Sequence, residues 1–168
     1  MGTNTTADHN VAIGRDALFA NSTGGENVAV GSQTLDANTT GSKNTALGKT
    51  SMGVNTEGYE NVAVGFGALG ANTTAANNTA VGTETMASNT TGTQNTAMGK
   101  ASMNANISGS FNVAYGAYSM KTSTTATRNT AIGYEALNLA TTGGDNVAVG
   151  YKALRALTTT LENTAIGY

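Results

Sequence analysis

The stretch NTALGKTSMGVNT, residues 44–56, returns at residues 95–106 as NTAMGKASMNAN and, in altered form, along the whole chain. Its leading asparagine recurs at one fixed spacing, at Asn27 and Asn10 upstream of Asn44. Downstream the same step reaches Asn61, Asn78, Asn95, Asn112, Asn129, Asn146 and Asn163, with no insertion or deletion. Each of these ten asparagines opens a phrase N-[VT]-A-Φ-G, where Φ is Ile, Val, Leu, Met or Tyr. A fixed period is the signature of a repeat architecture. Residues 1–168 therefore read as one array of 17-residue units, with residues 1–9 the tail of a preceding unit (Gly2-Thr3-Asn4-Thr5-Thr6).

With the anchor Asn as offset zero, offset two is Ala and offset four is Gly in all ten units. Offset eight is Leu or Met in all nine complete units, from Leu18 to Leu154. Offset seven is Ala, Ser or Thr, and offsets eleven to fourteen read NTTG at residues 38–41 and 89–92. A Thr/Asn/Gly-rich chain with 11% charged residues suggests low-complexity disorder. Strict phase argues against it, because a disordered chain has no reason to keep an apolar residue at offset three.

Helical repeats and propeller blades need units of roughly 33 to 50 residues, so a 17-residue unit suits one coil of a β-solenoid or β-roll. The N-x-A-Φ-G phrase alternates as a strand does, with offsets one and three on one face and offset two on the other. Gly at offset four permits a bend. A second short strand is expected over offsets six to ten, carrying the Leu/Met column. The NTTG segment is expected as a turn, with Asn and Gly suited to positive φ. Ten coils stacked at the strand spacing make a rod about 45 Å long. The expected fold is all-β, a β-solenoid of ten 17-residue coils, forming part of a trimeric fibre.

The charges give an independent test. Of the 18 Lys, Arg, Asp and Glu residues, 16 fall at offsets five, six, nine or sixteen, the exceptions being Asp8 and Glu57. Charged side chains are almost never fully buried unpaired, so these columns face water. The Ala, Φ and Leu/Met columns carry none and face inward or toward a partner chain. A coil this thin, with several apolar positions filled only by Ala, is marginal against the entropy of ordering its backbone. A homo-oligomer is expected, with a trimer favoured on symmetry grounds. End-to-end stacking of open coils is the alternative.

Phrases such as NTAIGYEAL (residues 129–137) and TTGGDNVAVGYKAL (residues 141–154) resemble the repeats of phage tail-fibre proteins, across essentially the whole chain. They are also similar to the head repeats of YadA-type trimeric autotransporter adhesins, whose VAIG-containing units are shorter. The resemblance implies a structural shaft within a host-receptor-binding appendage, placed in a virion or at a cell surface. It equally admits a segment cut from a longer fibre. A bacterial adhesin head binding glycan or matrix, and a self-stacking extracellular filament, are the alternatives. A Thr-rich ice-binding solenoid ranks below them.

Composition offers no enzyme. There is no Cys for thiolate chemistry, and His9 stands alone at offset sixteen. No carboxylate pair recurs at a spacing suited to glycoside hydrolysis, and no glycine run matches a phosphate loop. No cofactor and no metal site are expected. A net charge of −2 gives no footprint for nucleic acid, and no apolar run is long enough to cross a membrane. The ten-Asn column reads as an internal amide ladder rather than a ligand row. NTT and NST also match glycosylation sequons at Asn4, Asn21, Asn38, Asn72 and Asn89, which the turn composition produces by default. One surface feature stands apart: Tyr134, Tyr151 and Tyr168 share offset five in consecutive units, with Phe66 in the same column and Tyr118 beside it. On a solenoid these make an aromatic strip that either meets a cell-surface glycan or packs on itself or a neighbouring chain.

Overall fold

The computed structural model describes residues 6–168, so the Asn4 sequon lies outside the described residues. Ten three-residue strands recur once per 17-residue unit, from β1 (Val11–Ile13) to β10 (Thr164–Ile166). They pair in parallel and in chain order as a single ten-stranded sheet. Pairing is in register, so that Val11 lies opposite Val28 and Ala12 opposite Ala29, and every later coil repeats this match. The chain is a β-solenoid.

Inside the sheet the central Ala of each of the eight inner strands is buried, as Ala29, Ala46 and Ala80 are, and those of the two end strands are half-buried. The same thin interior holds the offset-eight column, in which Leu18, Leu35, Met52, Leu69, Met86, Met103, Met120 and Leu137 have no exposed surface. One large aliphatic side chain per coil is therefore fully buried, worth about 1.5 to 3 kcal/mol each. Alanines and the small residues of offset seven fill the rest. None of the described charged residues is buried, as the sequence pattern requires.

The second strand is absent. Offsets six to ten form a turn whose φ is positive at offset six (Asp16 +59°, Gln33 +57°) and at offset eight (Leu18 +51°, Met52 +50°, Met120 +47°). Two left-handed residues so close together break an extended chain, whose φ is negative throughout. This explains why offset eight is Leu or Met and never Val or Ile, although offset three takes both. Left-handed φ is uncommon for any L-residue and worst for β-branched ones. Offset sixteen is likewise left-handed (Glu26 +59°, Lys43 +60°, Arg128 +55°), and none of its ten residues is β-branched.

The regular spacing of glycine has two different causes. At offset four φ lies between +121° and +140°, and a Cβ on Gly48 would stand 2.6 Å from the Gly65 carbonyl oxygen of the next coil. The NTTG glycines do not take left-handed φ. There the constraint is crowding, since a Cβ on Gly41 would meet both Gly58 O and Asn38 Oδ1. That crowding yields with a small shift, because Ala75 and Ala126 occupy the same column.

Two asparagine ladders run through the interior. In the anchor ladder, Asn27 Oδ1 accepts from the Asn44 backbone N–H (3.0 Å) and from Asn44 Nδ2 (3.1 Å), while that Nδ2 also donates to Gly58 O (2.8 Å). In the offset-eleven ladder, Asn55 Nδ2 donates to Asn38 Oδ1 (2.8 Å) and to the same Gly58 O (3.1 Å). Two amides thus clamp one carbonyl and close the outline of the coil. The second ladder runs Asn21, Asn38, Asn55, Asn72, Asn89, Asn106, then meets Ser123. Asn106 Oδ1 and Ser123 Oγ are left buried without partners.

Two outcomes follow for stability, read from chemical-denaturation midpoints. Leu69→Ile unfolds more easily than Leu69→Met by about 2 kcal/mol, because a branch at Cβ adds to the strain that any side chain carries at φ near +51°. Equal midpoints would show that the turn relaxes at no cost. Ser123→Asn extends the ladder onto Asn106 Oδ1 and stabilises the chain by about 1 kcal/mol. Asn72 beside Ala75 shows that Asn fits next to an Ala carbonyl, as it would at Ala126.

Candidate functional site

The tyrosines stand where the sheet turns away at the offset-four glycine. Tyr134 and Tyr151 stack with ring centroids 5.5 Å apart and planes within 12°, and Tyr151 and Tyr168 repeat this at 5.4 Å and 14°. Tyr118 meets Tyr134 edge-on at 5.9 Å. Ala117 occupies offset five in that coil, so the Tyr118 ring at offset six reaches the top of the column. Four of the five expected residues therefore form one ladder. Phe66 does not join it, because Thr83, Lys100 and Ala117 intervene in the same column.

Stacking covers both faces of Tyr151 and one face each of Tyr134 and Tyr168. What the ladder offers solvent is ring edges and phenol oxygens, with Tyr134 40% and Tyr151 43% exposed. Sequence reasoning misses the cations around it. Lys121 Nζ lies 5.2 Å from the Tyr118 ring centroid and Lys152 Nζ 4.8 Å from that of Tyr151, both within cation–π range. Arg155 Nε donates to Glu135 Oε2 at 2.6 Å. The signal is present in the sequence: offsets six and nine, both charge-bearing, flank the turn that begins at the aromatic column. Partial desolvation in the stack and the neighbouring Glu135 carboxylate push the Tyr134 phenol above its ordinary value.

Other candidate features resolve into scaffold. The Thr hydroxyls of offset twelve donate to the carbonyl of the next coil, as in Thr39 to Thr56 O (3.0 Å) and Thr124 to Thr141 O (3.1 Å). The protons of these offset-twelve hydroxyls are spent on the rod itself, while the Thr residues of offset thirteen, such as Thr40, Thr74 and Thr91, face solvent. The sequon asparagines Asn21, Asn38, Asn72 and Asn89 are buried ladder members, so a folded rod offers their amides to no transferase. A shallow open concavity of about 360 Å³ arises where Gly53, Gly67 and Gly70 leave the turn bare, with Asp36 its only charged lining residue. Among the described residues no three of His, Asp and Glu gather to hold a metal ion, and no helix is long and apolar enough to cross a membrane.

The buried polar residues among those described are all Asn, Ser and Thr, so no buried group there titrates. The pH response therefore lies with exposed ion pairs. Arg128 holds the Asp145 carboxylate in a two-toothed bond (2.7 and 2.8 Å) and keeps it below the ordinary carboxylate range. The Arg155 hydrogen bond does the same for Glu135. A depressed folded pKa contributes stability above the unfolded value, lost as pH falls through the folded one. Melting temperature should stay flat between pH 5 and 9 and decline only below about pH 4, with the decline reduced in Glu135→Gln/Asp145→Asn. A transition near neutrality would contradict a core free of titrating groups. Compared with known proteins, the chain matches no family model, no curated protein and no solved structure.

Proposed function

We propose that this chain is a structural rod, a shaft segment of a phage tail fibre, which works as a bundle of parallel copies with three the favoured number. The observation that carries the reading is the outer face of the sheet. Offset three, expected to face inward or toward a partner, points out of the solenoid, and Ile13, Leu47, Met98 and Ile132 are each more than a third exposed. Offset one adds Val11, Val28 and Val62 beside them. The interior, by contrast, satisfies nearly all of its polar groups and buries its own Leu/Met column.

An apolar line about 45 Å long at offset three, widened by Val at offset one in half of the units and flanked by Thr in the others, is a continuous feature of a kind that marks interaction surfaces. A neighbouring copy with the same spacing along its axis meets it rung for rung, which no partner of irregular surface does. The stripe alone is narrow against the roughly 800 Å² per partner of a stable interface. Each copy is therefore expected to touch two others, as a closed ring of three allows. The tail-fibre assignment rests on the resemblance of NTAIGYEAL and its sister phrases.

Light scattering after size exclusion, over a tenfold concentration range, tests the bundle. A constant mass three times that of the chain is expected, and Leu47→Glu/Ile132→Glu should fall to single-chain mass while keeping its β-sheet circular dichroism. A wild-type monomer throughout the range would overturn the reading. Antibodies raised against the chain should then decorate the tail fibres of phage particles carrying its gene.

A further inference from the structure

We infer that the tyrosine ladder is a binding strip for an extended anionic polysaccharide lying along the rod axis. Tyr134, Tyr151 and Tyr168 present their edges in line, with successive centroids 5.5 and 5.4 Å apart, and Tyr118 caps the row 5.9 Å from Tyr134 with its ring turned perpendicular. Because Tyr151 is stacked on both faces and Tyr134 and Tyr168 on one each, the length of the row offers no flat platform to a lone sugar. It offers instead phenol hydroxyls along one line: that of Tyr134 already donates to Glu135 and keeps its acceptor side, that of Tyr151 is bonded by Lys152 and keeps its proton to donate, and Tyr168 is fully exposed. The ring-to-ring step is close to the advance of one sugar along an extended β-linked chain. A polysaccharide parallel to the axis keeps pace with the ladder, whereas a branched or compact glycan meets one rung at a time.

Charge decides between neutral and acidic chains. The chain as a whole carries a net charge of −2. Around the ladder the balance reverses: Lys121, Lys152 and Arg155 stand against one carboxylate, Glu135, which Arg155 already neutralises. Lys121 and Lys152 take no part in the ion pairs described; both ammonium groups lie beside tyrosine rings, and because Lys152 also bonds Tyr151 and feels the Glu135 charge, Lys121 is the cation more open to a ligand. The hydrogen bond to Tyr151 pushes the Lys152 ammonium above its ordinary value. Carboxylated or sulfated sugars fit this pattern. Single-stranded nucleic acid, the other linear polyanion, fits less well because its bases need free aromatic faces. The strip lies beyond the offset-four bend from the apolar stripe, so the inference rests on the bundle of the proposed function leaving that side of the bend uncovered.

Isothermal titration calorimetry of the full chain with a hexamer of β-linked mannuronic acid, with cellohexaose and with an oligothymidylate tests this. The mannuronate hexamer should bind, weaken more than tenfold between 20 and 300 mM salt, and outcompete the other two. Tyr134→Phe/Tyr151→Phe keeps the stack and removes the hydroxyls; Lys121→Gln/Lys152→Gln removes the cations. Each should cut affinity about tenfold with an unchanged denaturation midpoint, while Phe66→Ala should change nothing. No binding of the acidic hexamer, equal binding of cellohexaose, stronger binding of the oligothymidylate, or binding indifferent to both double variants would overturn the inference.

Discussion

The fold depends on one carbonyl oxygen per coil, the offset-fourteen acceptor that takes an amide proton from the anchor asparagine and, through the first six coils, from a second asparagine as well. In the coil from Asn44 to Glu60 that acceptor is Gly58 O, held by both Asn44 and Asn55. The same two side chains reach the neighbouring coils through their oxygens and nitrogens. Cross-section and stacking are thereby fixed by the same atoms. Buried amides are costly unless satisfied, and here nearly all are, which is why a coil with one large aliphatic side chain can hold its shape. The exception is instructive: where Ser123 replaces Asn, the Asn106 oxygen loses its donor.

The tight outline has a conformational cost, and the sequence shows how it is distributed. Closing a 17-residue loop around so thin a core requires left-handed turns at offsets six, eight and sixteen in addition to the glycine at four. A left-handed non-glycine residue costs of order 1 to 3 kcal/mol. Glycine would relieve that cost at offset eight but would leave the interior empty, so the position takes unbranched or γ-branched aliphatics that tolerate the turn and fill the space. Offsets six and sixteen take mostly polar or charged residues, and a branch at Cβ occurs there once, at Thr50. Its hydroxyl donates to the adjacent Lys49 carbonyl at 2.7 Å, a local bond that Val or Ile could not make.

That logic also marks what can be read in advance. The period, the buried Ala and Leu/Met columns and the amide ladder are legible because each is a demand on side-chain chemistry repeated nine or ten times. The turn at offsets six to ten reads as a strand because alternation of small and large residues there mimics a pleat. Only the exclusion of Val and Ile from offset eight distinguishes it, a signal of backbone conformation rather than polarity. The NTTG glycine suggests positive φ when its constraint is the approach of the next coil, and a linear order of residues says nothing of that approach. Phe66 groups with the tyrosines in sequence because it shares their column. Membership of a column gives the line, and distance along it is set by the intervening residues. Lys121 and Lys152 escape notice for the converse reason: they belong to other columns, and the turn brings those columns together.

A rod built by translation constrains what its surface can do. Enzyme sites gather different side chains at a point, with a nucleophile, a base and a stabilising donor converging from separate elements. In-register stacking instead spreads each kind of side chain along a line, with like neighbours about 4.8 Å above and below. Lines suit partners that are themselves linear and periodic: another copy of the rod, or a polymer whose repeat keeps step. The outer stripe of Val, Ile, Leu and Met has the first geometry, and the tyrosine ladder the second. The two differ in how far the repeat is kept. The stripe persists through all ten coils, as a structural contact requires. The ladder is confined to the last four, where Tyr fills offset five in three consecutive units after a column of Arg, Ser, Lys, Phe, Thr, Lys and Ala, and Tyr118 joins from offset six. Departure from the repeat, rather than the repeat itself, is where a solenoid can localise recognition.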